Sequence, residues 1–206
     1  MSGRIAAALV RPGGEGAPPG VDPDAFARSL AEDTYEVLAD LAECSAGVVA
    51  CPPSYGGTAT SLVWPGAPVL TVADGATDVV TGGAVRALAG LGFDEVAVVA
   101  GDTPDLPGLL VGKLFSALTG AEVAACPAAG GGLVAIAVRV PVPGWLAAAE
   151  AGLDTADAAE RLSRAAPRPA QLAVVSGWHR LRTPADVASL DPGLEGWETT
   201  RALLSR

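Results

Sequence analysis

One stretch, Val-Ala-Val-Val-Ala-Gly-Asp-Thr-Pro-Asp-Leu-Pro at positions 96–107, limits the folds open to this chain more than any other. Its first five residues are apolar without a break, which suits a strand buried on both faces of a parallel sheet. The run stops at Gly101, and the turn that follows carries Asp102 and Asp105. Pro107 suits the first position of a helix. In an open α/β sheet, ligands bind beyond the carboxyl ends of the strands. Asp102 and Asp105 are therefore candidate catalytic residues, and two carboxylates there would suit Mg²⁺ or Mn²⁺, with Asp102 as metal ligand. The competing reading is local: Asp105 caps the helix and Asp102 closes an Asx-turn.

The same alternation runs through the chain. Strands are expected at 4–10, 46–51, 69–72, 96–100, 122–126, 133–140 and 171–176. Asp22 reads as a helix cap with Pro23 behind it, and Phe26, Leu30, Val37, Leu38 and Leu41 form a stripe at helical spacing to about residue 43. Further helices are expected from Thr77 or Asp78 to Gly90 or Gly92, and from Pro107 to Gly120. After residue 144 the pattern is less regular: an Ala-rich helix, a short one at about 155–165, one opened by Thr183-Pro184 and a terminal one opened by Gly196-Trp197. Alternating strands and helices predict a single-domain α/β fold with a mostly parallel sheet, and 206 residues can bury a full core.

Charge narrows the function. A net charge of −10 argues against binding a nucleic-acid backbone. No apolar run is long enough to span a membrane, and no export signal precedes the first strand, so a cytoplasmic location is expected. Cys44, Cys51 and Cys126 fit no zinc spacing and read as buried structural thiols. There is no Walker A sequence, no nucleophile elbow and no dinucleotide fingerprint, because Gly130 to Gly132 precede a strand rather than a helix. His179 is the only histidine, and beside Arg180 and Arg182 it reads as a surface residue.

The order of elements and three stretches resemble a bacterial family of glycosyltransferase-A-like (GT-A) transferases. They are associated with radical-SAM and selenodomain clusters and related to molybdenum-cofactor and phospholactate guanylyltransferases. Ala31-Glu32-Asp33-Thr34 resembles the family's Leu-x-Asp-Thr. Ala100-Gly101-Asp102-Thr103-Pro104-Asp105-Leu106 resembles its Gly-Ser-Asp-Cys-Pro-Asp-Leu, the most specific of the three. Thr183-Pro184-Ala185-Asp186-Val187 resembles its late Asp-Thr-Pro-Glu-Asp-Leu. The resemblance implies a three-layer nucleotide-diphospho-sugar transferase-like domain with about seven strands. It implies transfer from a nucleotide or nucleotide-sugar donor aided by a divalent cation, Mg²⁺ or Mn²⁺. Asp102 would ligate the metal. The first loop, with Arg11 and Gly13, would wrap the nucleotide, and Asp74-Gly75 after the third strand would complete its site.

Three charged stations depart from the family pattern. The first loop keeps Pro12-Gly13, but no Lys or Arg follows until Arg28. The family's Glu-Asp-Gly-Gly reads Ala128-Ala129-Gly130-Gly131. Its late Asp-x-Asp-Thr-Pro reads Arg180-Leu181-Arg182-Thr183-Pro184. Two functions are thus compatible with the sequence. One is a transferase in which Arg180 and Arg182 supply the positive charge that metal gives elsewhere. The other is a degenerate member that acts as a binding or scaffolding subunit for a protein partner or a second copy.

Overall fold

In β1 (Arg4–Val10) the side chains sort by parity. Ile5, Ala7 and Leu9 enter one core and Ala6, Ala8 and Val10 the other, as the two-residue period of a strand requires. The same sorting holds in β4 (Glu95–Ala100), where all six residues are buried. Both strands are therefore interior to the sheet and need a helical layer on each face. The computed structural model describes residues 3–13 and 16–205.

The layers follow. α1 (Pro23–Ala39) starts at Asp22, whose carboxylate accepts the N–H of Ala25 at 2.8 Å. It covers one face through Ala31, Tyr35 and Leu38, joined by α2 (Gly56–Thr60) and α4 (Gly108–Ala117). The opposite face is covered by α3 (Thr77–Ala89), α5 (Trp145–Ala148) and α6 (Ala158–Ala165). The remaining strands are β2 (Ser45–Ala50), β3 (Val69–Thr71), β5 (Val123–Pro127), β6 (Leu133–Arg139) and β7 (Leu172–Val174). The seven-stranded sheet has the order β3-β2-β1-β4-β6-β5-β7. All pairs are parallel except those of β6, which runs antiparallel to both β4 and β5. This is the single-domain, mostly parallel seven-stranded fold expected.

Two local differences have physical reasons. The Ala-rich helix after Gly144 has only four residues, because Glu150 takes a positive φ of 48° and turns the chain away. Pro107 is the N-cap of α4 rather than its first residue, with an extended ψ of 123°. A terminal helix, α7 (Glu198–Leu204), packs on α1: Trp197, Leu203 and Leu204 join Phe26, Leu30, Leu181 and Leu190 in a third apolar cluster. Asp33 of α1 is fully buried and accepts the N–H groups of Thr199 (3.1 Å) and Thr200 (2.8 Å), so one helix caps the other. Burial raises the Asp33 pKa above the usual carboxylate value, while those hydrogen bonds pull it down.

Candidate functional site

The chain leaves β1 for β2 on one side and later enters β4 on the other. The carboxyl ends of β1 and β4 therefore form a topological switch point, where an open sheet splays a crevice. A cleft of about 470 Å³ lies there. Its floor is the end of β1 with Arg11 and Pro12, one wall is α1 through Ala27, Leu30 and Ala31, and the other is Gly101 and Asp102. Asp154 and Arg180 to Arg182 complete the rim.

The turn after β4 is tightly made. The Gly101 N–H donates to the Leu9 carbonyl at 3.0 Å, and a β-carbon at Gly101 would sit 2.7 Å from that oxygen. Only glycine allows β1 and β4 to stay paired to their ends there. The Thr103 hydroxyl donates to the Ala100 carbonyl at 2.7 Å. The chain then returns from far downstream. Beyond β7 it follows the end of β5, where Trp178 N–H donates to the Pro127 carbonyl, and crosses to β4, where Leu181 N–H donates to the Asp102 carbonyl at 2.9 Å.

That returning segment delivers Arg180. Its Nε and Nη2 donate to the two oxygens of Asp102 at 2.7 and 2.9 Å, a bidentate pair. Its Nη1 donates to the carbonyls of Leu133 and Leu153 at 3.1 and 2.9 Å. Nη2 also lies 2.8 Å from Asp154 Oδ1. Burial works against the charged guanidinium, but Asp102 and Asp154 outweigh it and raise the Arg180 pKa further. Asp154 Oδ2 is shared by the Thr77 hydroxyl at 3.4 Å and Arg11 Nη1 at 3.5 Å.

Arg11 is less well satisfied. Its Nε and Nη2 are buried, with no hydrogen-bond partner among the described residues. Gly13 follows, and its N–H donates to Asp24 Oδ1 at 3.1 Å, tying the first loop to the start of α1. The two residues after it, Gly14 and Glu15, lie outside the described residues. Arg182 crosses the rim to the glycine loop, where its Nη2 donates to the Ala129 carbonyl at 3.2 Å. Gly132 in that loop has φ of 80°, and a β-carbon there would lie 2.5 Å from the Leu153 carbonyl.

The structure does not gather all the residues the sequence singled out. Asp102 lines the cleft. Asp105, three residues on, does not: its side chain is wholly covered, and Oδ1 accepts Trp178 Nε1 at 3.2 Å and lies 2.9 Å from His179 Nε2. His179 is accordingly not a free surface residue. Its ring stacks on Trp178 with centroids 4.9 Å apart. Asp74 and Gly75 are exposed beyond the cleft lining; Asp74 Oδ1 accepts the Gly75 N–H at 2.9 Å and the Cys51 thiol at 3.8 Å. Cys51 and Cys126 are buried as expected, whereas Cys44, just ahead of β2, is only partly covered. Burial pushes the Cys126 thiol up to about 11. Thr34, the other half of the Asp33-Thr34 motif, donates to the Leu30 carbonyl at 2.8 Å. Sequence reading missed Asp154 altogether. Its signal was only that of a turn before a short helix.

A resident divalent ion needs carboxylate oxygens that are free to ligate it. Both oxygens of Asp102 and both of Asp154 already face cations or donors. Among the described residues no three or more His, Cys, Asp or Glu side chains are grouped to hold a metal. These residues do not fit a resident Mg²⁺ or Mn²⁺.

No family model matches the sequence, and no curated protein matches it. Solved structures do match in fold. One is a putative nucleotide-diphospho-sugar transferase from Desulfovibrio desulfuricans G20, with 18% identity, 100% of this chain and 98% of that one covered, and a TM-score of 0.71. Another is CMP:2-keto-3-deoxy-manno-octonic acid synthetase complexed with CTP, with 14% identity, coverage of 100% and 99%, and a TM-score of 0.61. A third is the Rv0371C complex with manganese from Mycobacterium tuberculosis H37Rv, with 17% identity, coverage of 98% and 98%, and a TM-score of 0.52. The chain thus has the nucleotide-diphospho-sugar transferase fold. No described helix is long and apolar enough to cross a membrane.

Proposed function

We propose that the protein binds a nucleotide or nucleotide-sugar in the cleft between the ends of β1 and β4, as a divergent relative of the GT-A-like transferases. The observation that carries this reading is Arg11. It lines the cleft with two buried nitrogens that have no partner among the described residues. Unpartnered buried donors are rare, and a guanidinium is matched to phosphate oxygens. Arg182 stands across the same cleft as a second cation. The fold likeness to a protein solved with CTP supports the same ligand class.

The Arg180–Asp102 pair favours binding over fast turnover. It engages the carboxylate that the transferase reading assigns to metal, and losing one charge-stabilising group at a transferring centre typically costs about 10²–10³ in rate. Asp105 has no place in the cleft under this reading, and Asp74-Gly75 would contact only a part of the ligand reaching past Arg11. A slow transferase and a binding subunit for a protein partner both remain compatible with such a cleft. A thermal-shift panel of nucleotides and nucleotide-sugars identifies the ligand, because binding to the folded state raises its melting temperature. Calorimetric titration of the best ligand into Arg11→Gln should then show affinity weakened by about 10- to 100-fold, the worth of one charged hydrogen bond. A panel without a binder, or an Arg11→Gln variant that binds like wild type, would falsify the proposal.

A further inference from the structure

We infer that the Arg180 guanidinium stands in the position of a bridging divalent cation, holding Asp102 and Asp154 together without metal, and that its removal creates a divalent-cation site. The inference concerns the walls of the cleft and does not depend on the nucleotide reading.

The chemistry of the surrounding atoms carries it. Five oxygens converge on one guanidinium: two from Asp102, one from Asp154 and the carbonyls of Leu133 and Leu153. An all-oxygen set containing two carboxylates is what a hard cation takes. The guanidinium supplies one positive charge against two negative ones, but it has the directional N–H groups to reach all five. It is also nearly enclosed, with 7% of its side chain exposed. The space between the two carboxylates is therefore filled, although both side chains reach the cleft, 23% and 38% exposed, and an ion cannot bridge them while Arg180 is in place. A guanidinium never gives up its proton in the physiological range, so this bridge, unlike a metal, does not come and go with cation supply.

The consequence is a cleft whose ligand end is assembled in the absence of divalent ions. Arg180 offsets one of the two negative charges and Arg11 Nη1, 3.5 Å from Asp154 Oδ2, faces the other, which leaves Arg11 Nε and Nη2 and Arg182 to face an anionic ligand. Replacing Arg180 by a neutral side chain takes the shared cation from both carboxylates and a donor from both carbonyl oxygens, although Asp154 keeps Thr77 and Arg11 and the Leu153 carbonyl keeps the Leu133 N–H. The simplest relief is capture of a cation from solution.

The probe is Mn²⁺ alone, without nucleotide, followed by the paramagnetic-resonance signal of the free ion and by melting temperature. Wild type should take up no stoichiometric Mn²⁺, and its melting temperature should be the same in millimolar Mn²⁺ and in chelator. Arg180→Gln should melt lower than wild type in chelator, bind one equivalent of Mn²⁺ at least about 10-fold more tightly than wild type, one factor of ten being the smallest secure difference, and recover part of the lost melting temperature. Adding Asp102→Asn should abolish that uptake. If Arg180→Gln does not fold in chelator, refolding from urea is compared with and without Mn²⁺: rescue by the ion supports the inference, and failure in both overturns it. Stoichiometric uptake by wild type that Asp102→Asn removes also overturns it. So does a folded Arg180→Gln that binds no Mn²⁺, or uptake that persists after Asp102→Asn, which would place the ion elsewhere on this acidic protein.

Discussion

An arginine–carboxylate pair sits at each end of β4, and the two pairs are unlike. At the amino end, Arg4 of β1 faces Glu95 across the ladder, with Nε 2.8 Å from Oε2 and Arg4 35% exposed. The pair joins two strands that their backbones already join. At the carboxyl end, Arg180 meets Asp102 with two hydrogen bonds and adds Asp154 and two carbonyls. Only single backbone hydrogen bonds join those segments, such as Leu181 N–H to the Asp102 carbonyl at 2.9 Å, and the Arg180 side chain adds the rest. The same kind of arginine–carboxylate pair therefore adds little at one end of a strand and organises the cleft at the other. Burial and the number of partners decide which.

Urea denaturation can break that comparison, and Arg180 is the place to begin. Arg180→Met should lose about 3–5 kcal/mol, because removing one member of a buried charge cluster leaves the others unpaired. A loss below about 1 kcal/mol, the range of an exposed pair, would erase the distinction. Asp102→Asn should come between, at about 1–3 kcal/mol, since Arg180 keeps Asp154 and both carbonyls while losing one charged partner. Equal losses for Asp102→Asn and Arg180→Met would mean that Asp154 contributes nothing. Arg4→Ala should cost least, about 1 kcal/mol, because Arg4 is partly exposed and has one carboxylate partner, although Glu95, 11% exposed, then loses its cation. A cost as large as that of Arg180→Met would refute the contrast from the other side.

Much of the fold was legible because its causes are local. Apolar parity in β1 and β4, Asp22 before Pro23, and glycine after α3 and α4 are signals within a few residues of the elements they define. The antiparallel turn of β6 was not legible, since the Gly130 to Gly132 loop says that the chain bends but not which strand it meets. The site was legible by halves. The break at Gly101 places Asp102 at a strand end on sequence grounds alone. Nothing in spacing tells that Arg180 will meet it from 78 positions away, or that His179 and Trp178 will close over Asp105 from 74 and 73. Asp33-Thr34 and Thr183 to Asp186 carried part of the family resemblance. Both satisfy backbone and helix ends: Asp33 caps α7, and Asp186 accepts the N–H groups of Arg182 and Thr183. Polar motifs at element ends serve capping and ligand binding alike, and only the tertiary contacts separate the two.

The hub at Arg180 also has a history in time. Its hydrogen bonds close chain separations of 78, 47 and 27 residues. Contacts that span so much chain reward folding only after most loop-closure entropy has been lost. They are expected to form after the β1–β4 core has assembled, beyond the rate-limiting barrier. Interactions absent from the transition state act on the rate of unfolding and hardly on the rate of folding. The Arg180→Met variant should therefore refold at close to the wild-type rate and unfold much faster. On that expectation Arg180 would be a brake on opening: it would set how long the cleft end of the sheet stays shut once made, rather than how quickly the chain finds it.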